Sequence, residues 1–455
     1  MICIDDLNDW IGCMAGHPNT KTPNIDKLAA ASTLFTNAHC QAPICGPSRA
    51  SLMSGLLPSS TGIYGQIYDN NIRQAHPSTE KCTFMPEYFK KNGYKTMGIG
   101  KIFHTHAPDQ AFEISGGRVK GFGPTPPKRV NWNRKGTATD WGAYPQHDHQ
   151  MPDYQSAKWT IEKLKQDHQR PFFLTVGFLR PHVPWFVPQK WFDLHPIETI
   201  KNPPYLENDS DDLPEIAIKL SEMPMMPTTK WAIENKQWKN ITQAYLACVS
   251  FVDHYVGEVL NALENSKYKN NTLVILWSDH GYHLGEKNRF AKHSIWERAT
   301  RTPLIIKLPG QQKPQRCSKP VGLIDIYPTL LDLCNFDANP QNQGNSLLPL
   351  LQKPDRPWPH IAITTYGRNN HAIRSEHYRY IRYEDGSEEL YDHRNDANEW
   401  HNLASNQKYL QIKEKLKAQL PKDNQPWSKE SVYNINEYFT NQRKQNMTSE
   451  TRNTN

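Results

Sequence analysis

The sequence has no run near the ~18 consecutive apolar residues of a membrane-spanning helix, which excludes a chain that crosses a bilayer that way. It has no block of Lys or Arg, and a net charge of +7 over 455 residues is modest, so nucleic acid is not indicated as a partner. Its eight cysteines (3, 13, 40, 45, 82, 248, 317 and 334) form no C-x-x-C pair and no Cys/His group at zinc spacing. That excludes a disulfide scaffold and a zinc module, while one or two bridges stay open. Internal repeats are lacking. The opening Met1-Ile2-Cys3-Ile4-Asp5-Asp6 has no charged n-region, apolar h-region or cleavage site. A strand ending in an acidic pair normally has more apolar residues ahead of it, so the start looks clipped. A periplasmic or secreted home is expected, with a cytoplasmic one still open. With 37% hydrophobic and 22% charged residues, the chain can bury a core and is not of disordered type.

What is present alternates. β-Branched or aromatic runs at Met1–Ile4, Thr33–Ala38, Thr96–Ile99, Pro171–Phe178, Thr272–Trp277 and Thr302–Leu308 predict strands. Helices are predicted over Thr22–Ser32, Gly46–Gly55, Phe84–Asn92, Tyr154–Asp167, Asn240–Glu264 and Val321–Leu333. This order predicts an α/β fold: a large doubly wound, mostly parallel sheet flanked by helices, within residues 1–340. Alternation at Tyr378–Tyr383, a turn at Asp385-Gly386 and a strand at Glu389–Tyr391 predict a smaller α+β domain with an antiparallel sheet over 341–425, closed by a helix near Gln407–Leu420. Residues 426–455 read as an extension, with a loose tail from about 440. Residues 121–150 read as a surface loop whose Trp132, Trp141, Tyr144, His147 and His149 either face a carbohydrate or pack on their own domain.

Ligands of doubly wound sheets lie outside the carboxyl ends of the strands. Asp5-Asp6 follows one predicted strand and Asp279-His280 another. Three carboxylates brought together there would repel unless a cation lay between them, and a hard divalent ion prefers such oxygen donors. Either pair alone reads more simply as a solvated loop; both together favour a metal. Cys45, in Cys45-Gly46-Pro47-Ser48-Arg49, stands at a predicted helix start, where the positive end of the macrodipole favours an anion. A lone cysteine is usually a small buried hydrophobe, but the string continues through Ala50-Ser51-Leu52-Met53-Ser54-Gly55.

That string resembles the signature of the formylglycine-dependent type I sulfatases, in the alkaline-phosphatase-like superfamily. The resemblance extends through Ile4-Asp5-Asp6, Thr22–Ala29, Gly100-Lys101-Ile102-Phe103-His104, Ser278-Asp279-His280-Gly281, Leu390-Tyr391-Asp392 and Asn402-Leu403-Ala404. Leu179-Arg180-Pro181-His182-Val183-Pro184, the segment Asp279–Glu286 and Ala291-Lys292-His293-Ser294 are most similar to the iduronate-2-sulfatase-like branch.

The resemblance implies that Cys45 is oxidised to Cα-formylglycine by a maturation enzyme. The hydrated aldehyde carries two hydroxyls, one to attack sulfur and one to expel sulfate afterwards. It implies a divalent ion, Ca²⁺ ahead of Mg²⁺, held by Asp5, Asp6, Asp279, His280 and position 45. His280 departs from the Asn or Gln that many sulfatases carry there. Arg49 and Lys101 are implied to steady the charged oxygens, and His104 to act as base in breakdown of the sulfated intermediate. His182 and Lys292 are implied to bind the bridging side of the sulfate, one of them as acid to the leaving alcohol, with His283 lining the same site. The expected activity is sulfate-ester hydrolysis on a polysaccharide or glycosaminoglycan. The alternatives are a phosphonate monoester or phosphodiester hydrolase of the same superfamily, and a non-catalytic binding module. The sugar, the sulfated carbon, exo or endo attack and the oligomeric state are not specified by any motif.

Overall fold

The computed structural model describes residues 1–119 and 121–453. Successive side chains of a strand point to opposite faces, and here each face has its own core. In β1 (Ile2–Ile4), Ile2 and Ile4 enter one core and Cys3 the other. The remaining strands of the sheet are β2 (Thr33–His39), β3 (Lys95–Gly100), β4 (Ile114–Gly117), β5 (Phe172–Phe178), β6 (Val274–Ser278), β7 (Arg301–Lys307) and β8 (Gln315–Cys317). In β6, Leu276 joins Ile4 while Ile275 and Trp277 join Cys3; in β7, Ile305 and its neighbours Leu304 and Ile306 divide the same way. Strands apolar on both faces must be covered on both.

The spatial order is β8-β2-β7-β6-β1-β5-β3-β4, with Val321–Gly322 also pairing beside β2. β1 is central and runs parallel to both β5 and β6. The sheet is mostly parallel as expected, but β7 runs antiparallel to β2 and β6. One face is covered by α1 (Pro23–Ala29), by α3 (Pro152–Lys165) and by the 27-residue α4 (Trp238–Glu264). α4 turns Ile241, Tyr245, Cys248, Val252 and Val256 inward at helical spacing. The other face is covered by α2 (Cys45–Ser54), through Leu52 and Met53, and by α5 (Ile326–Leu333). Gly55, in the left-handed region at φ 77°, ends α2.

A second sheet is antiparallel in the order β9 (Ala362–Thr365), β10 (His371–Arg374), β11 (Tyr378–Arg382) and β12 (Glu388–Asp392). α6 (Leu410–Lys417) packs Leu416 onto Ile373, Tyr380 and Leu390 of this sheet.

Three expectations change. Residues just past 340 do not leave the first unit, since Leu347, Leu350 and Leu351 lie in the second core of the large sheet. The 121–150 loop contributes a short strand, Trp141–Ala143, paired with Trp185–Val187, and its Trp132 and Trp141 are buried, so these rings are core. The stretch from about 440, expected as a loose tail, continues α7 (Glu437–Asn453), in which Gln442 and Asn446 are buried; ahead of it Trp427, Tyr433 and Phe439 of the extension are buried together. Those three rings anchor an otherwise polar segment; residues 454–455 lie outside the described residues.

Candidate active site

The site forms where parallel strands end together. Ile4 of β1 lies opposite Phe178 of β5 and Ser278 of β6, and Gly100 of β3 lies opposite Gly177. The residues immediately beyond therefore converge: Asp5-Asp6, Asp279-His280 and Lys101, with His182 a little further on. At Gly177 an added Cβ would stand 2.1 Å from the Lys101 carbonyl oxygen, so glycine is what lets the Lys101 backbone come in. α2 begins at Cys45 and points its N-terminus at this edge.

Cys45 Sγ is 3.3 Å from His280 Nε2 and accepts from Lys292 Nζ at 3.0 Å. Lys292 Nζ also donates to Asp6 Oδ1 at 2.6 Å. Lys101 Nζ donates to Asp5 Oδ2 at 2.6 Å. Arg49 donates through Nε to Asp279 Oδ2 at 2.8 Å, through Nη2 to Asp5 Oδ1 at 3.3 Å and through Nη1 to the carbonyls of Lys101 and Ile102. Arg49 is thus tied to the acids and to the end of β3, and it is completely enclosed. His280 donates through Nδ1 to the Gly281 carbonyl, 3.0 Å away, leaving Nε2 toward Asp6 and Asp279 at 3.4 and 3.5 Å. His182 Nδ1 lies 2.6 Å from the Val183 carbonyl, which fixes the proton there and turns Nε2 inward, 4.0 Å from Asp6 Oδ2.

Three carboxylates and three basic side chains interleave, so the cluster is close to electroneutral as it stands. Its charges are not evenly matched. Burial would raise the Asp5 pKa, but Lys101, His182 and Arg49 hold it well below the carboxylate range. Asp6 is pushed up to about 7 by burial and by Asp5 and Asp279, with Lys292 opposing. Its Oδ2 is buried without a hydrogen-bond partner among the described residues, and its backbone sits at φ 61°. Burial also pushes the Cys45 thiol up to about 12, a poor nucleophile in that form.

Donor atoms of Asp5, Cys45, Asp279 and His280 lie within 4.8 Å of one another, and so do those of Asp5, Asp6, Cys45 and His182. The donor set is rich in carboxylate oxygen and contains the orphaned Asp6 Oδ2, so these residues fit a hard divalent cation. Glu297, His393 and Glu399 make a third such group, but Arg374 and Arg379 already neutralise it.

The other expected residues stand apart from this contact set. His104 is held near Lys101 and Asp5, where burial and Lys101 push its pKa down to about 3, and its Nδ1 has no partner among the described residues. His283 is fully enclosed and meets Ser294 Oγ at 2.9 Å through Nε2, so it props the Lys292 segment instead of lining a pocket. Several supports had no role assigned from the sequence. Ser48 Oγ donates to the Asp279 carbonyl at 2.6 Å, and Tyr245 of α4 donates to the Asp6 carbonyl at 2.8 Å. Asp69 accepts from the backbone N–H groups of His104, Thr105 and His106 at 3.0, 3.1 and 2.7 Å.

Comparison with known proteins gives the family. The sulfatase family profile matches residues 1–336, and the profile of the N-sulphoglucosamine sulphohydrolase C-terminal region matches residues 285–426. A sulfatase of Formosa agariphila is 52% identical over 454 residues, covering 97% of this chain and 90% of the relative. Iduronate 2-sulfatase of Mus musculus is 34% identical over 347 residues, 69% of this chain and 60% of the relative. A solved structure in complex with D-glucosamine-2-N,6-O-disulfate superposes with a TM-score of 0.72 at 21% identity, covering 92% of this chain and 95% of that one; it is similar in fold.

Proposed function

The chain belongs to the sulfatase family and is a sulfuric ester hydrolase, and from that premise we propose that it cleaves sulfate esters of a sulfated saccharide using formylglycine formed from Cys45. One observation carries the reading: the Cys45 side chain lies at a helix N-terminus, 3.0 Å from Lys292 Nζ and 3.3 Å from His280 Nε2, at the edge of a three-carboxylate cage. The saccharide class is supported by the names of the iduronate 2-sulfatase relative and of the disulfated glucosamine in the similar structure. A periplasmic or secreted home and a maturation enzyme acting on Cys45 accord with such a substrate. No helix among the described residues is long and apolar enough to cross a membrane.

Asp5, Asp6, Asp279 and His280, with position 45, would hold the cation. Calcium is favoured, because a site built almost wholly from protein oxygens suits it better than magnesium, which keeps several waters. A cation held by these residues would supply Lewis-acid polarisation of a sulfate oxygen and a net positive field that favours an anionic ester. The chain's own groups do the rest. Lys292, kept charged by Asp6, is a fixed positive charge beside position 45. Lys101 and Arg49 hold Asp5 and Asp279 in place and are held by them. His182, whose Nδ1–H donates to the Val183 carbonyl, presents Nε2 to the site, and when the ring is protonated that Nε2–H would pass to the leaving alcohol oxygen. His104, whose buried Nδ1 has no hydrogen-bond partner among the described residues, is the group assigned as base for release of sulfate.

The test is sulfate release from defined sulfated oligosaccharides by protein matured with a formylglycine-generating enzyme, beside aryl sulfate and aryl phosphodiester controls. Sulfate release is expected; a large preference for the diester would replace this reading with the phosphodiesterase alternative.

A further inference from the structure

The segment after β4 brings a guanidinium and an exposed ring to the rim of the site. Arg118 donates through Nη1 to the carbonyls of His104 and Thr105, at 2.8 and 3.0 Å. Its guanidinium carbon lies 5.6 Å from the centre of the Phe122 ring. Phe122 in turn stacks on His182, with centroids 4.8 Å apart and planes inclined by 15°. A line of contacts therefore runs from Asp6 through His182 and Phe122 to Arg118, and closes on the backbone of His104. Arg118 and Phe122 span the gap between the two candidate catalytic histidines.

This rim is built, not loose. Arg180, completely buried, donates through Nη2 to the Phe122 carbonyl at 2.9 Å and through Nη1 to the His182 carbonyl at 3.2 Å. One buried cation thus fixes both stacked residues. Yet Phe122 remains 38% exposed, although the same loop sends Trp132 and Trp141 into the core. Arg118 forms no ion pair among the described residues, and its Nε and Nη2 make no hydrogen bond among them. Its carbonyl contacts use one nitrogen of a planar fork whose other edge matches a sulfate or a carboxylate.

We propose that Arg118 and Phe122 form a saccharide subsite at the rim of the active site. Phe122 covers a face of the sugar bearing the scissile ester, and Arg118 holds a second anionic group, sulfate or carboxylate, on that sugar or its neighbour. The preferred substrate is then a polyanionic saccharide, not a sugar with a solitary sulfate. This rests on the sulfatase reading above and narrows it.

The experiment compares three saccharides of one skeleton: a monosulfated neutral sugar, its disulfated analogue and a monosulfated uronate. Matured wild-type protein, Arg118→Gln, Arg118→Lys, Phe122→Ala and Phe122→Tyr are assayed by sulfate release. The readout is the ratio of kcat/KM for each anion-bearing substrate to that for the neutral one. Arg118→Gln is expected to lower the ratio about tenfold or more, chiefly through KM, with Arg118→Lys intermediate. The substrate that loses more identifies sulfate or carboxylate as the group held. Phe122→Ala raises KM for all three, and Phe122→Tyr restores it. An Arg118→Gln variant that slows all three equally would mean that Arg118 only props the His104 loop, and would overturn the proposal. A wild-type ratio near one, or an unchanged KM in Phe122→Ala, would do the same. Calorimetric binding of the three saccharides to Cys45→Ala protein should rank them identically without turnover. Preserved ranking with no hydrolysis by matured wild-type protein would sink the sulfatase reading and leave the subsite standing; lost ranking with normal hydrolysis would do the reverse.

Discussion

Asp6 concentrates the demands of the site in one residue. Its left-handed backbone turns the carboxylate inward, Tyr245 clamps its carbonyl, Lys292 donates to Oδ1, and Oδ2 has no hydrogen-bond partner among the described residues. Asp6→Asn keeps the shape and removes the charge. It should weaken calcium binding, followed by calorimetry, and sulfate release by more than the roughly 10–100-fold typical of losing an outer partner of a metal ligand. Asp69 makes a different prediction. Asp69→Ala leaves three loop N–H groups without their acceptor and frees His104 from its position. We expect kcat to fall roughly 10–100-fold with KM little changed, and Asp69→Asn to recover part of the loss because its amide oxygen still accepts. Equal losses in kcat and KM would argue that the site as a whole has collapsed. The convergence of Cys45, Asp5, Asp6, Asp279 and His280 was legible because each residue stands in a short contiguous string. Asp69, Arg118 and Phe122 were not, since each works through backbone groups or ring faces in loops without period or motif. His283 shows the opposite failure: its string suggests the site, but one bond to Ser294 and complete burial put it in the supporting wall.

Among the elements, strands and helices with strong periodicity were readable to within a few residues, and β1, β5 and β6 stood where their apolar runs placed them. The antiparallel sense of β7 was not readable, because a buried strand has the same composition in either direction. The C-terminal extension was read as loose only from about 440, where it is almost wholly polar, yet it continues there as α7. In the fold it returns to the active site: Val432 N donates to the Gln66 carbonyl, Gln66 Oε1 accepts from Gly46 of α2, and Tyr433 OH meets His293 Nδ1 at 2.6 Å, next to Lys292. Phe439 is its most enclosed anchor. Phe439→Ala should cost ~3–5 kcal/mol in urea unfolding and should also reduce kcat by loosening the Lys292 segment. A stability loss with kcat intact would confine the extension to a structural role.

For the whole molecule, the two sheets are joined by a buried ion cluster. Glu297 of the large unit meets Arg374 Nε at 3.1 Å and Arg379 Nη2 at 2.5 Å, while Arg379 Nε and His393 Nε2 hold Glu399 at 2.6 and 2.9 Å. Burial alone would raise the Glu297 pKa, but Arg374, His393 and Arg379 hold it well below 4.5. A carboxylate depressed in the fold stabilises fully above its unfolded value and loses that contribution as pH falls through its folded one. Glu297→Gln should therefore cost about 3–5 kcal/mol at pH ~7, and the difference from wild type should shrink as pH drops below about 4. A gap that stays constant across this range would show that charge at Glu297 does not join the two units. The boundary between them was legible only roughly, because helix Leu348–Gln352 lies beyond the expected limit and still packs on the large sheet.

Anomalous diffraction from crystals of the matured protein grown with calcium tests the central claim most directly. The account predicts one anomalous peak bounded by Asp5, Asp6, Asp279 and His280, beside an aldehyde or its hydrate at position 45. A peak elsewhere, with those carboxylates still paired only to Arg49, Lys101 and Lys292, would contradict it.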